Sequence, residues 1–166
     1  MQFFSSNFKL GILGGGQLGK MLLYDCKRYD VFTKVMDPYK DAPCNKIADE
    51  FVIGQLTNYE DVLNFGKDVD VITVEIENVN TDALVALEKM GKKVHPSSST
   101  LKIIQNKSDQ KNFYYNNNLP TSRYKNYKNL KTLNDDLIKG LFKFPFVWKS
   151  SKFGYDGKGV KIVNSI

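Results

Sequence analysis

The sequence predicts an α/β fold built on a parallel, doubly wound sheet, and three observations predict it. Short apolar runs alternate with segments of helical period. The run from Val69 to Ile76 is apolar and β-branched, as in a parallel strand covered on both faces. A first apolar run, residues 8–13, stops at Gly14-Gly15-Gly16 and is followed at once by a helical pattern.

Taken in order, residues 8–13 form a strand and the triple glycine a tight turn. Residues 17–28 form a helix, with Leu18, Met21, Leu22 and Cys26 at helical spacing. Residues 31–36 are a second strand ending at Asp37-Pro38, and residues 50–53 a short third. Residues 58–65 are a helix capped by Thr57 or Asn58, with acids in its first turn. After the strand at 69–76 comes a helix over 81–90, with Leu84, Val85 and Leu87 inward and Gly91 as its stop. Lys93-Val94-His95 is a further strand, closed by Pro96. Right-handed crossovers place the ligand crevice at the strand C-termini, at the glycine turn, Asp37 and Glu75-Ile76-Glu77.

A second domain begins after residue 97. Ser97 to Thr100 supplies a helix cap, and residues 100–118 form one broken helix or two, ended by Asn116-Asn117-Asn118-Leu119-Pro120. Residues 122–127 are strand-like. Residues 130–141 form a helix with Leu133, Leu137 and Leu141 four apart, and Phe146-Val147-Trp148-Lys149 is a strand. The division expected is 1–97 and 98–166. The roughly 47 residues from 120 onward are too few for an independent core, so the chain is expected to be the N-terminal part of something longer.

Of the 166 residues, 42% are hydrophobic and 25% charged, an ordinary globular balance without an apolar run long enough to span a membrane. No secretory signal is evident, and Cys26 and Cys44 lack zinc spacing, so both are expected as reduced thiols in a cytoplasmic protein. The net charge of +6 is uneven. Residues 1–97 carry 11 Lys+Arg against 14 Asp+Glu, a balance of −3, and residues 98–166 carry 13 against 4, a balance of +9. The basic part suits nucleotide phosphate or nucleic acid, or is a solvated lysine-rich face.

Two motifs carry chemistry. Gly14-Gly15-Gly16-Gln17-Leu18-Gly19 fits G-x-G-x-x-G between a strand and a helix, with Asp37 at the end of the next strand. That pattern serves NAD, another phosphate, or a purely structural turn. The second is Trp148 to Val160, a strand ending in Lys149, a turn holding Gly154, Tyr155, Asp156, Gly157, Lys158 and Gly159, and a second strand from Val160. Glycines let backbone N–H groups approach an anion, and Lys149, Lys152 and Lys158 surround them. A phosphate flap and an ordinary surface hairpin both fit. Glu75 and Glu77 end a buried strand and need partners or a ligand.

These residues, with Asp41-Ala42-Pro43, Thr73 to Val79, Pro96-Ser97 and Ile104-Gln105-Asn106-Lys107 with Gln110-Lys111, make the chain resemble the N-terminal part of the N5-carboxyaminoimidazole ribonucleotide synthases. Those are the ATP-grasp carboxylases of bacterial and fungal purine synthesis. The resemblance runs from about residue 9 to 163. It implies a Rossmann-like pre-ATP-grasp domain followed by the start of an ATP-grasp domain. It implies the reaction ATP + bicarbonate + 5-aminoimidazole ribonucleotide → N5-carboxyaminoimidazole ribonucleotide + ADP + phosphate, through carboxyphosphate.

By the same resemblance, Lys107 and Lys149 reach the ATP phosphates. Gly154, Tyr155, Asp156, Gly157, Lys158, Gly159 and Val160 form the flap over them. Gln17, Leu18 and Glu75 line the ribonucleotide site. Mg²⁺ ligands are implied beyond residue 166, no catalytic residue within it, and a homodimer without nucleic-acid or membrane partners. Asn106, where the family often has Asp, and Ser108-Asp109 depart from the pattern. As given, the chain is not expected to turn over. An NAD(P)-binding oxidoreductase domain and a basic nucleic-acid-binding module are the alternatives.

Overall fold

The computed structural model describes residues 7–152 and 159–165. The chain divides into two compact units, Met1–Lys102 and Ile103–Ile166.

In the first unit, five strands form one parallel sheet: β1 (Lys9–Leu13), β2 (Phe32–Asp37), β3 (Glu50–Ile53), β4 (Val71–Val74) and β5 (Lys93–His95). The order is β3-β2-β1-β4-β5, with Leu13 opposite Met36 on one side and Val74 on the other. Strand order reverses between β1 and β4, which makes their C-terminal ends the topological switch point. The expectation of a parallel α/β sheet holds.

Alternation along the strands feeds two cores. Leu13, Met36, Ile72 and Val94 pack with Val62 and Phe65 of α2 (Tyr59–Gly66) and Ala83, Leu84 and Leu87 of α3 (Thr81–Lys89). Ile12 and Val35 pack with Cys44 and with Leu23 of α1 (Gln17–Arg28). Asn58 and Asn80 cap α2 and α3 through their side chains, each satisfying an otherwise orphaned N–H. One buried cation sits at the edge of the larger core. Lys34 Nζ meets Asp68 at 2.9 Å and Glu50 at 3.2 Å, and stands 5.3 Å from the Phe65 ring centroid.

β4 is shorter than the expected strand. Val69 is buried, and Asp70 leads into β4 with its N–H on the Lys9 carbonyl at 2.9 Å and its carboxylate accepting from the Lys9 N–H at 2.8 Å. Glu88 of α3 accepts from the Ser98 N–H at 2.8 Å and from its hydroxyl, pinning the start of α4 (Ser98–Gln105).

The second unit holds α5 (Lys107–Asn116), α6 (Leu130–Ile138) and an antiparallel pair, β6 (Phe146–Lys149) and β7 (Val160–Val163). The break between α4 and α5 falls at Asn106, whose Oδ1 accepts from the Ser108 N–H at 3.0 Å. Asp at this position would cap equally well, so the Asn departure keeps the break. Residues 121–127 are not a strand. Their side chains turn to α5 instead, Thr121 and Ser122 accepting from Lys111 and Tyr124 donating to Asn112. α6 ends short of residue 141 because Gly140 adopts φ +69°.

Candidate functional site

The first site is built on the glycine turn at the switch point. Gly14 has φ +102°, a backbone conformation that suits glycine. The Gly15 N–H donates to Asp37 Oδ2 at 2.8 Å, and the other carboxylate oxygen of Asp37 accepts from the Tyr39 N–H at 2.9 Å. The Cys44 N–H donates to the Gly15 carbonyl at 3.0 Å, and the Cys44 thiol to the Gly16 carbonyl at 3.5 Å. Burial and the nearby Glu75 and Asp37 charges push that thiol up to about 11, which keeps it protonated and unreactive. Cys26 and Cys44 are both free.

Glu75 leaves β4 with its N–H on the Leu13 carbonyl at 2.8 Å. Its side chain then lies across the turn. A Cβ at Gly14 would stand 2.9 Å from Glu75 Oε2, one at Gly16 would overlap Oε1, and one at Gly19 would touch Cγ at 3.4 Å. Gly14 and Gly16 therefore make room for a carboxylate, and Gly19 for the Cys44 sulfur, which a Cβ there would meet at 3.1 Å. No donor among the described residues hydrogen-bonds that carboxylate, so it is available to a ligand. Gln17 opens α1 and is exposed, and Leu18 is 68% exposed beside it. Thus the structure brings Gln17, Leu18 and Glu75 together around one turn.

This geometry bears on the dinucleotide alternative. That fingerprint needs its acid free for a ribose and its glycine N–H groups free for a pyrophosphate. Here the acid, Asp37, takes the Gly15 N–H for itself.

The second site lies in the second unit. Lys107 is the first residue of α5, half-buried, with Nζ 3.4 Å from Gln110 Oε1. Its N–H donates to the Ser151 carbonyl at 2.8 Å, and Ser108 Oγ lies 3.1 Å from Ser151 Oγ. Ser151 follows β6 by two residues, so these bonds join the start of α5 to the strand end that carries Lys149. Lys149 pairs with Val160, and the Ser150 N–H on the Gly159 carbonyl at 2.8 Å continues the pairing. Lys149 shares the outer face of the pair with Val147, Val160 and Ile162, three exposed apolar residues. Phe146 and Trp148 point the other way. Gly154, Tyr155, Asp156, Gly157 and Lys158 lie outside the described residues; Gly159 precedes the returning strand and Val160 opens it.

Among the described residues no three His, Cys, Asp or Glu side chains cluster to hold a metal ion, and no helix is long and apolar enough to cross a membrane. Sequence reasoning passed over the Cys44 wedge and a buried polar group in the second unit, where Asp136 accepts from Tyr127 Oη at 2.7 Å and from Lys125. An Asp within a leucine-spaced helix, after a Lys-x-Tyr pair, was the available signal.

Together the switch-point turn and the lysine-bearing hairpin define a doubly wound α/β protein with an appended basic unit. The chain belongs to the ribonucleotide synthetase preATP-grasp domain family, which matches residues 8–105. It is 35% identical over 159 residues to the phosphoribosylaminoimidazole carboxylase of Candida albicans, covering 93% of this chain and 28% of that protein. It is 32% identical over 154 residues to the N5-carboxyaminoimidazole ribonucleotide synthase of Bacillus subtilis, covering 93% and 40%. The Aspergillus clavatus N5-carboxyaminoimidazole synthase, solved with ADP and 5-aminoimidazole ribonucleotide, superposes with a TM-score of 0.85 at 30% identity, covering 99% and 42%. The chain thus spans between about a quarter and two-fifths of the length of these relatives.

Proposed function

We propose that the intact protein carboxylates 5-aminoimidazole ribonucleotide with bicarbonate at the expense of ATP, giving N5-carboxyaminoimidazole ribonucleotide, ADP and phosphate. The observation that carries this reading is the bond from the Lys107 N–H to the Ser151 carbonyl, 2.8 Å. It joins the two elements bearing Lys107 and Lys149, as a site for a polyphosphate requires. Relatives of the same length of match carry the activity in their names.

In this reading residues 1–97 are the pre-ATP-grasp domain and 98–166 the linker helices and beginning of the ATP-grasp domain. Lys107 and Lys149 neutralise charge on the ATP phosphates, which is most of what a protein contributes to phosphoryl chemistry. The exposed apolar face of Val147, Val160 and Ile162 covers the nucleotide. Gly154, Tyr155, Asp156, Gly157, Lys158, Gly159 and Val160 close over the phosphates. Glu75 accepts hydrogen bonds from the ribonucleotide, with Gln17 and Leu18 beside it. Mg²⁺ accompanies ATP and is assigned to no residue of this chain. The protein is taken to be a cytoplasmic homodimer, with small molecules rather than nucleic acid or membrane as its other partners.

The test follows the carbon. With ATP, isotopically labelled bicarbonate and aminoimidazole ribonucleotide, the intact protein is expected to place the label on the ribonucleotide amine. ATP consumption with unlabelled ribonucleotide would overturn the proposal.

A further inference from the structure

Asp136 is only 8% exposed, and its partners are neither Lys107 nor Lys149. Its carboxylate accepts from Tyr127 Oη at 2.7 Å and from Lys125 Nζ, and Lys125 also stands 5.5 Å from the Tyr127 ring centroid. Tyr127 is therefore gripped at its hydroxyl and over its face. Its ring packs on Trp148, centroids 6.3 Å apart and planes 31° from parallel, and meets Phe142 edge-on at 6.0 Å.

Trp148 is the residue before Lys149 in β6. On a strand the two side chains point to opposite faces, so fixing the Trp148 ring fixes the direction in which Lys149 leaves the sheet. β6 has only four residues, and the packing on its Trp148 face runs from Asp136 through Tyr127 to Trp148.

We propose that Asp136 and Tyr127 are positioning residues for Lys149, holding β6 so that the lysine meets the ATP phosphates. The inference rests on the ATP reading of Lys149. A carboxylate serving stability alone would leave ATP affinity untouched when removed from a protein that still folds.

The test uses Tyr127→Phe, which keeps the ring and drops the hydroxyl, and Asp136→Asn, which keeps the shape and drops the charge, in the intact protein. Each is expected to raise KM for ATP by roughly tenfold, the scale of one lost hydrogen bond. KM for the ribonucleotide stays unchanged, and the Trp148 emission, identified by its loss in Trp148→Phe, shifts. Asp136→Glu recovers part of the ATP affinity. An altered Trp148 emission with unchanged KM for ATP would overturn the inference. Lys149→Ala separates the two levels. If it weakens ATP use while Tyr127→Phe and Asp136→Asn do not, the positioning role falls alone; if it leaves ATP use unchanged, the reading of Lys149 falls and the positioning role with it. Should Asp136→Asn not fold, Tyr127→Phe decides.

Discussion

The carboxylate of Glu75 fills the space that a side chain at Gly16 would need. The turn is thus glycine-rich chiefly so that an acid from the neighbouring strand can lie over the start of a helix.

Gly16→Ala should therefore act on binding before stability. The obstructing atom is the end of a flexible side chain, so the fold can accommodate the methyl by moving Glu75. The expected outcome is a KM for the ribonucleotide raised by roughly tenfold or more with kcat less affected, the pattern of lost substrate binding. Steady-state kinetics on the variant check this, and an unchanged KM would remove Glu75 from the ribonucleotide site.

Asp37 gives a different result. Its two oxygens accept from the Gly15 and Tyr39 N–H groups. Asp37→Ala leaves both donors without their partner and is expected to cost about 1–3 kcal/mol for each that stays buried. Asp37→Asn keeps one acceptor and should cost less. Urea unfolding measures the order, and neither variant should gain affinity for NADH.

Acid should weaken the first unit through two carboxylates. Burial raises the Asp49 and Asp68 pKa values, but hydrogen bonds from Lys27 and Thr33, and from Lys34, outweigh it, and both end below the ordinary 3.8. A depressed pKa contributes stability that is present above the unfolded value and lost as pH falls through the folded one. Asp49→Asn should therefore lower the urea midpoint at about pH 7, and the gap from the parent should close below about pH 4. A gap that persists at low pH would mean that packing, not charge, is what Asp49 supplies.

Lys34 titrates in the opposite sense. Burial works against its charge, yet the hydrogen bonds it donates to Asp68 and Glu50 prevail and raise its pKa above 10.5. Its contribution is complete below the unfolded value and is lost as pH rises through the folded one. Removing both partners, by Asp68→Ala with Glu50→Ala, strands a buried ammonium and should cost about 3–5 kcal/mol, more than Lys34→Met, which frees two half-exposed carboxylates to rehydrate. Equal losses in thermal or urea unfolding would contradict the asymmetry.

Much of the first unit was legible because period and punctuation agreed. Leu10 to Leu13 followed by three glycines, and Asn80 ahead of the Ala83, Leu84 and Leu87 face, state strand, turn and helix locally. What escaped was decided by distant partners. Val69 carries a strand's residue type but packs against Gly11 before the ladder begins. Tyr124 and Tyr127 are of a type that strands favour, yet Lys111 and Asp136 hold them instead. Glu75 was legible as a crevice acid; that it lies on the glycines required the sheet order. The joining of Lys107 to Ser151 spans 44 positions and no local pattern contains it.

The most direct test is phosphate release by the intact protein from ATP and bicarbonate, measured with and without 5-aminoimidazole ribonucleotide. The account predicts release that rises steeply with the ribonucleotide and falls sharply in Lys149→Ala. Release indifferent to the ribonucleotide, or unaltered by loss of Lys149, would contradict it.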